Sequence, residues 1–354
     1  MNRTKSRRRL IGVLSFSLVV TLGFFSAVGS AQAATPIAQE GFRRIGGIEQ
    51  WVTIHGQDSS RPVLLFLHGG PGNPLSPFAK NIYGTWSRDF VLVQWDQRGA
   101  GLSFGKNPTQ AQESLSLERM VADGIELTEQ LQQQLGPRKV LLMGSSWGSV
   151  LGVHMAKHRP DLFAAYVGTA QMVSAQANGL ASFTQTLALA EAAGDAATVA
   201  ALKAIGPPPH RDPRAFGVLR RPIRAYEAKS STSAPRDWWQ AEARYQSAEA
   251  QAATEEGEDY SFLQFVGLTG DGMLSKIDLP ALGPEYRIPM HFVQGESDLL
   301  TPLSVTQGFV DNIQAPEKSL TVVPRAGHDP NPPLIEAQLR LLLRLAQQKP
   351  PSTP

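Results

Sequence analysis

Gly144-Ser145-Ser146-Trp147-Gly148 is the stretch of the chain with the sharpest chemical content. It sets a serine between small residues, directly after the apolar run Val140–Met143 and ahead of a helix-compatible segment. A strand that turns abruptly into a helix holds its central residue in a strained backbone conformation, and small neighbours make room for the turn. The Ser146 hydroxyl is thereby pushed into the open at a helix N-terminus, whose dipole favours developing negative charge. A serine so placed offers nucleophilic attack, for which it needs a base. There are seven histidines: His55, His68, His154, His158, His210, His291 and His328. His328 lies in Ala326-Gly327-His328-Asp329, after the last candidate strand, on a turn able to aim an imidazole at Ser146. The base needs a carboxylate to set its tautomer and stabilise its cation. Asp298, in Gly295-Glu296-Ser297-Asp298 just past the run Met290–Gln294, is the first choice, Glu296 the second and Asp329 the third. Finally, the glycines of His68-Gly69-Gly70-Pro71-Gly72 expose backbone N–H groups, one of which could join the Trp147 N–H in holding an oxyanion.

These groups must be positioned by the elements around them. Short runs rich in β-branched and aromatic residues end in turn residues at Trp51–His55, Val63–His68, Val91–Trp95, Val140–Met143, Ala164–Thr169, Met290–Gln294 and Leu320–Val323. Continuous rather than alternating apolar runs predict strands covered on both faces. Helical stretches separate several of them, notably Leu117–Leu135 and Ser149–His158. The expected fold class is α/β, with a mostly parallel sheet and helices on both faces. The alternation stops near Ala170 and resumes near Ile288. Residues 171–284 are alanine-rich and read as an inserted helical cap. One helix is expected over Phe183–Ala193, broken by Gly194. Asp195 would cap the next, which Gly206-Pro207-Pro208-Pro209 would end. The expected division is core 34–170, cap 171–284, core 285–347 and a loose proline-rich tail 348–354.

The net charge of +2 changes meaning once the first 33 residues are set apart. They hold five basic residues and no acid, which leaves 28 basic against 31 acidic residues in the rest. A mildly acidic body gives no general electrostatic reason to bind nucleic acid. The basic segment 3–9, the apolar run from Leu10 to about Val28 and Ala31-Gln32-Ala33 read as a signal peptide cut before Ala34. The expected location is therefore exported, periplasmic or secreted, with no stable membrane association after cleavage. Ser6-Arg7-Arg8-Arg9-Leu10-Ile11 also resembles a twin-arginine signal, which leaves the export route open. The chain has no cysteine, which excludes disulfides, thiolate metal sites and a cysteine nucleophile.

Three strings together, His68-Gly69-Gly70-Pro71-Gly72, Trp95-Asp96-Gln97-Arg98-Gly99-Ala100-Gly101-Leu102-Ser103 and Gly144-Ser145-Ser146-Trp147-Gly148-Ser149, resemble the proline iminopeptidase family of α/β-hydrolases. Gln294-Gly295-Glu296-Ser297-Asp298 and Gly327-His328 are similar to its acid and base segments. The resemblance covers roughly residues 40–170 and 285–345. It implies the α/β-hydrolase fold, Ser146 as nucleophile, Asp298 and His328 as its partners, and the Gly70 and Trp147 N–H groups as the oxyanion hole. It also implies a structural role for Arg98. The expected activity is a serine hydrolase working through an acyl-enzyme, an aminopeptidase releasing N-terminal residues, proline preferred, from short peptides. An esterase acting on small apolar esters and a non-catalytic binding protein on the same fold are the rival readings.

The insert departs from the family pattern. The family's cap glutamates hold the substrate's free amino group, one of them in a W-x-x-W-E setting. The nearest string here is Trp238-Trp239-Gln240-Ala241-Glu242, with different spacing. Glu242 is the first candidate amine anchor, expected one helical turn from Trp238 and Trp239, and Glu227 is the second. A solvated helix face is the plainer reading of both. The cap aromatics, Trp238 and Trp239 among them, are expected to form an apolar pocket over Ser146. His154 and His158 share a helix face but lack the glutamate of a zinc protease, and Gly101–Lys106 misses the P-loop spacing. No cofactor and no metal is expected.

Overall fold

The computed structural model describes Met1, residues 34–107 and residues 115–347. The expected leader and the tail 348–354 lie outside the described residues. From Ala34 onward the described chain forms one compact unit. Its sheet has the order β1-β2-β4-β3-β5-β6-β7-β8. The strands are β1 (Ile37–Ile45), β2 (Ile48–Gly56), β3 (Val63–Leu67), β4 (Val91–Trp95), β5 (Val140–Ser145), β6 (Phe163–Thr169), β7 (Met290–Gly295) and β8 (Lys318–Val323). The first two form an antiparallel hairpin, β2 runs antiparallel to β4, and all later pairings are parallel. β1 is absent from the sequence expectation. It is a half-exposed edge strand that lacks a continuous apolar run. Its turn, Gly46-Gly47, has positive φ at both positions (57° and 82°), the backbone a two-residue hairpin needs.

The central strands show why their sequences are apolar throughout. In β3, Val63, Leu65 and Leu67 join a cluster with residues of α3 (Leu117–Leu135) and α4 (Trp147–His158). Leu64 and Phe66 point the other way, toward α1 (Ala79–Tyr83) and α10 (Pro332–Gln347), while α2 (Gly101–Lys106) follows β4 and α9 (Leu303–Asn312) follows β7. Successive strand residues face opposite sides, so a sheet covered twice must be apolar at every position. Each such side chain contributes roughly 1.5–3 kcal/mol relative to exposure. α3 begins at Ser116, whose hydroxyl accepts the Arg119 N–H (3.1 Å). It buries Leu117, Met120, Val121, Gly124, Leu127, Thr128 and Leu131, the spacing of one helical face.

Between β6 and β7 the chain is helical. It forms α5 (Ala175–Ala192), α6 (Ala196–Ile205), α7 (Arg214–Ser230), α8 (Ala248–Val266) and several 3-10 turns. Asp195 caps α6 through the Thr198 N–H (3.0 Å), and Gly206 ends it with φ 67°. The insert is not one separate layer. Phe183, Ala190, Leu202, Leu219, Ile223 and Tyr226 form a small cluster of their own, closed by Leu299. Phe265 and Val266 of α8, with Met273, Ile277 and Leu279, belong instead to the main core. Among the described residues no helix is long and apolar enough to cross a membrane.

One charge cluster braces the hairpin end of the sheet. Asp123 of α3 is fully buried and accepts from Arg98 Nε, Arg119 Nε and Gln50 Nε2, each at 2.8 Å. Arg98 Nη2 reaches on to the Gly46 carbonyl (2.7 Å). Removing one member of a buried ion pair leaves the other charge uncompensated, at a cost of about 3–5 kcal/mol. Asp123→Ala is therefore expected to lower unfolding stability by about that amount in urea titration. A loss below about 1 kcal/mol would show that the guanidinium finds other partners.

Candidate active site

The candidate residues meet at the C-terminal ends of the parallel strands. Leu67 of β3 pairs with Gly144 of β5, and Ser145 pairs with Thr169 of β6, so the segments leaving these strands start at one level. Ser146 has φ 53° and ψ −120°, a strained backbone for a residue with a side chain. The flanking glycines are sterically required. A Cβ on Gly144 would lie 2.3 Å from the Gly148 carbonyl oxygen, and one on Gly148 would lie 2.0 Å from that of Leu67. Glycine at both positions lets α4 start hard against the ends of β3 and β5, with the half-buried Ser146 at the apex.

His328 Nε2 lies 3.1 Å from Ser146 Oγ. Its Nδ1 faces both oxygens of Asp298, at 3.2 and 3.1 Å. Asp298 is 2% exposed and His328 is 7% exposed, so their pairing is shielded from water. Burial alone would raise the Asp298 carboxyl. The His328 charge and hydrogen bond, with the Thr301 donors, outweigh it and hold Asp298 below its ordinary value. Burial alone would likewise lower His328, and the Asp298 carboxylate more than offsets this and holds the imidazole above its ordinary value. The other second-choice acids fall away. Glu296 is exposed, and Asp329 is turned toward Arg220 (3.7 Å).

Three partners of Asp298 were not expected from the sequence. Thr301 donates to it through both N–H and Oγ1 (2.7 Å each), and Gln294 Nε2 donates at 2.9 Å. The Leu300 N–H adds a fourth donor at 3.0 Å. Thr301 stands three residues after the acid, a local spacing that a sequence reading could have weighed. Gln294 is the last polar residue of a strand buried along its whole length and carries no signal of its own.

The glycine loop after β3 backs directly on the serine, since a Cβ on Gly69 would sit 3.2 Å from Ser146 Cβ. Gly70 has φ 106°, and a Cβ there would meet the Gly72 and Asn73 nitrogens at 2.7 and 2.8 Å. Gln97 braces this loop against the elbow. Its N–H donates to His68 Nε2, its side-chain amide to the His68 carbonyl, and its Oε1 accepts from Trp147 Nε1, all at 3.1 Å. His68 Nδ1 faces the Gly69 carbonyl at 2.8 Å, so the proton belongs on Nδ1. Burial lowers its pKa to about 4, and the ring stays neutral.

The insert residues divide. Glu227 of α7 is brought in, but its carboxylate is already engaged. Oε1 accepts the Leu299 N–H (2.7 Å) and Oε2 the His328 N–H (3.4 Å). Burial and then the Asp298 charge push this carboxyl above its usual range, against the pull of His328, the Leu299 N–H and Arg220. Glu242 is not brought in. It lines a cleft of about 300 Å³ with Glu40, Thr53, His55, Ser76 and Tyr245, and Ser146, His328 and Asp298 do not line that cleft. The helix expected to carry Glu242 beside the tryptophans does not form. A 3-10 turn covers only Arg236–Trp239, and Asn81 Nδ2 takes the carbonyls of Asp237 and Gln240 (2.9 Å each). Trp239 packs edge-on against Phe78 (5.6 Å) and is 42% exposed, while Trp238 joins the cluster with Leu75 and Ala79. The aromatic ring set against the elbow is instead Phe265 of α8, 5.5 Å from Trp147. An acid that sequence reasoning missed, Glu258 of α8, lies beside the glycine loop. With its nitrogen turned inward, the Asn73 amide reaches both Glu258 oxygens at 3.0 and 3.1 Å. A Cβ on Gly72 would sit 3.0 Å from Glu258 Cα. Glu255, Glu256, Glu258 and Asp259 stand together, and no spacing singles out one of them.

A largely parallel sheet with a serine elbow, an imidazole and a carboxylate at successive strand ends defines an α/β-hydrolase enzyme. The chain belongs to the serine aminopeptidase S33 family, whose sequence profile matches residues 58–331. The probable aminopeptidase YbaC of Bacillus subtilis (strain 168) is 27% identical to it over 296 residues, covering 81% of this chain and 89% of the relative. The proline iminopeptidase of Neisseria meningitidis serogroup B is 28% identical over 320 residues, covering 84% and 93%. Among solved structures, VinJ matches with a TM-score of 0.62 at 19% identity, over 88% of this chain and 99% of that one. The proline iminopeptidase of Mycobacterium smegmatis gives 0.59 at 19% identity, over 88% and 98%. At such identities the structural likeness is one of fold.

The charge relation between Asp298 and His328 has a direct readout. Asp298→Asn removes the group that raises the imidazole and leaves the burial that lowers it, so His328 should titrate at lower pH by NMR. A base must be neutral to accept a proton, so the acid limb of any pH–rate profile should move to lower pH with it. Turnover should fall on the order of 10⁴-fold, because Asn no longer enforces the Nδ1–H tautomer. An unchanged imidazole titration in the variant would contradict the assigned pairing.

Proposed function

We propose that the protein is an exported serine aminopeptidase that releases N-terminal residues, proline preferred, from short peptides. The Ser146 Oγ–His328 Nε2–Asp298 line at the strand ends is the observation that carries the chemistry. His328 takes the Ser146 proton as the hydroxyl attacks the scissile carbonyl. The N–H groups of Gly70 and Trp147 hold the oxyanion, the second of them at the first position of α4. His328 then protonates the leaving amine, and water releases the acyl-enzyme by the same steps in reverse order.

The aminopeptidase preference is supported by the relatives, which are named aminopeptidase and proline iminopeptidase. Such an activity needs a carboxylate for the substrate's ammonium group. Glu258 is the candidate, because it is exposed beside the glycine loop that backs on Ser146, whereas Glu227 is buried and turned to the Leu299 and His328 N–H groups. The export part of the proposal rests on the basic, apolar and Ala-x-Ala succession in residues 1–33. N-terminal sequencing of protein recovered outside the cytoplasm should begin at Ala34, and an intact Met1 there would argue for a retained leader.

Ser146→Ala should abolish turnover and fluorophosphonate labelling while leaving the fold intact. Retained turnover above a few per cent would sink the nucleophile, and an unlabelled wild type would favour a binding protein. A panel of prolyl amides, other aminoacyl amides and short-chain esters addresses the substrate. Because Glu258 is exposed in the free protein, Glu258→Gln should slow free-amine substrates selectively, by about fivefold, and leave a neutral ester nearly untouched. Glu242→Gln should change neither. Equal effects of Glu258→Gln on amides and esters would remove it as the amine anchor, and if no carboxylate of the insert discriminates between them the esterase reading becomes the better one.

A further inference from the structure

Glu227 is the buried acid of the 171–284 insert, only 6% exposed, and it carries neither proton transfer nor the oxyanion in the mechanism above. Its two oxygens go to two different loops: Oε1 to the Leu299 N–H beside the acid, and Oε2 to the N–H of the base itself. The base loop is pressed against it, since a Cβ on Gly327 would lie 3.1 Å from Oε2. We propose that Glu227 is a positioning residue whose carboxylate holds the Asp298 loop and the His328 loop at the separation the Ser146–His328–Asp298 line requires. The proposal rests on the triad reading.

The surroundings fit a clamp better than a ligand site. A carboxylate offers one acceptor to each loop, whereas an amide offers only one carbonyl oxygen. The chain just beyond α7 grips the same base loop: the Thr232 N–H donates to the Arg325 carbonyl (2.8 Å), and Asn331 Nδ2 donates to the carbonyls of Thr232 and Arg325 (2.9 Å each). Arg220, two turns before Glu227 on α7, faces Asp329 at 3.7 Å. Helix α7 and the chain just after it thus meet the base loop at its N-terminal side, at the histidine and beyond it. Reacting groups are sensitive to such placement, and an error of about 1 Å can cost on the order of 10²-fold in rate.

The test compares Glu227→Ala and Glu227→Gln with the wild type by amide hydrogen exchange over residues 296–301 and 326–331, and by kinetics on a prolyl amide and a neutral ester. Glu227→Ala should speed exchange roughly tenfold in both segments. Its kcat should fall on the order of 10²-fold on both substrates, with KM changed by less than about threefold. Glu227→Gln keeps an acceptor for Leu299 and turns a donor toward the His328 N–H. It should loosen 326–331 alone and give an intermediate kcat. If Glu227→Ala does not fold, this variant carries the test. Wild-type exchange in both segments of the variants would overturn the proposal. So would a loss confined to free-amine substrates with a raised KM, which would make Glu227 an amine anchor. The exchange arm reads the loops without any substrate. A failure of the triad reading, seen as an unlabelled wild type, is thereby told apart from a failure of the clamp.

Discussion

The missing side chain of Gly148 sets the distance on which the rest of the site depends. With the Leu67 carbonyl oxygen where a Cβ would stand, α4 starts against the end of β3. Three consequences follow from that one approach. Ser146 is forced to φ 53°, which turns its side chain out of the packed core. The first N–H groups of α4 come level with the glycine loop after β3. The Trp147 ring, fully buried, comes within reach of Gln97, which also holds His68. The strain at Ser146, of order 1–3 kcal/mol, is sustained by the packing of α4, where nearly every residue from Trp147 to Ala156 is buried.

Electrostatics then separates two carboxylates that lie close together. Asp298 and Glu227 are both buried, yet they shift in opposite directions. Asp298 receives an imidazole and four other donors, enough to favour its charged form in spite of desolvation. Glu227 receives two backbone N–H groups and feels the neighbouring negative charge, and burial dominates. The difference is one of donor count and of a directly paired imidazole, not of depth. It suits one carboxylate to stabilising an imidazolium and the other to holding backbone.

The sequence was most legible where one physical demand acted alone. Runs such as Val63–Leu67 are apolar because both faces of the sheet are covered, and that demand marks the strand ends where Ser146, Asp298 and His328 stand. β1 escaped notice because an edge strand covered on one side alternates, and its Phe42 is 39% exposed. The insert was less legible for a different reason. Placing Glu242 beside Trp238 and Trp239 assumed a continuous helix, but Pro235 and the hydrogen bonds from Asn81 settle that segment as a single 3-10 turn against α1. Asn81 lies 156 residues from Asp237 in the chain, so no local pattern reports the contact. Glu258 was hidden by composition. Among four neighbouring acids, only the packing of α8 on Gly72 selects one.

The insert bears on the site through two helices of different character. α8 is built into the main core: Phe265 packs on Trp147, and Ser261 Oγ donates to the Gly99 carbonyl (2.7 Å). Its position is therefore fixed by the same packing that fixes the elbow, and a group it carries, such as Glu258, inherits that precision. α7 belongs mainly to the smaller cluster with α5 and α6, and reaches the core through Phe216, edge-on against Phe262 of α8 (5.4 Å), through Leu299 and through the Glu227 carboxylate. Polar ties, unlike packed rings, break at modest net cost when water can replace them, and Glu227 lies where little water reaches. The burial that raises its carboxyl is thus also what makes its two hydrogen bonds costly to lose. A helix with a small core of its own is in this way tied to the acid and base loops by hydrogen bonds that water does not readily replace.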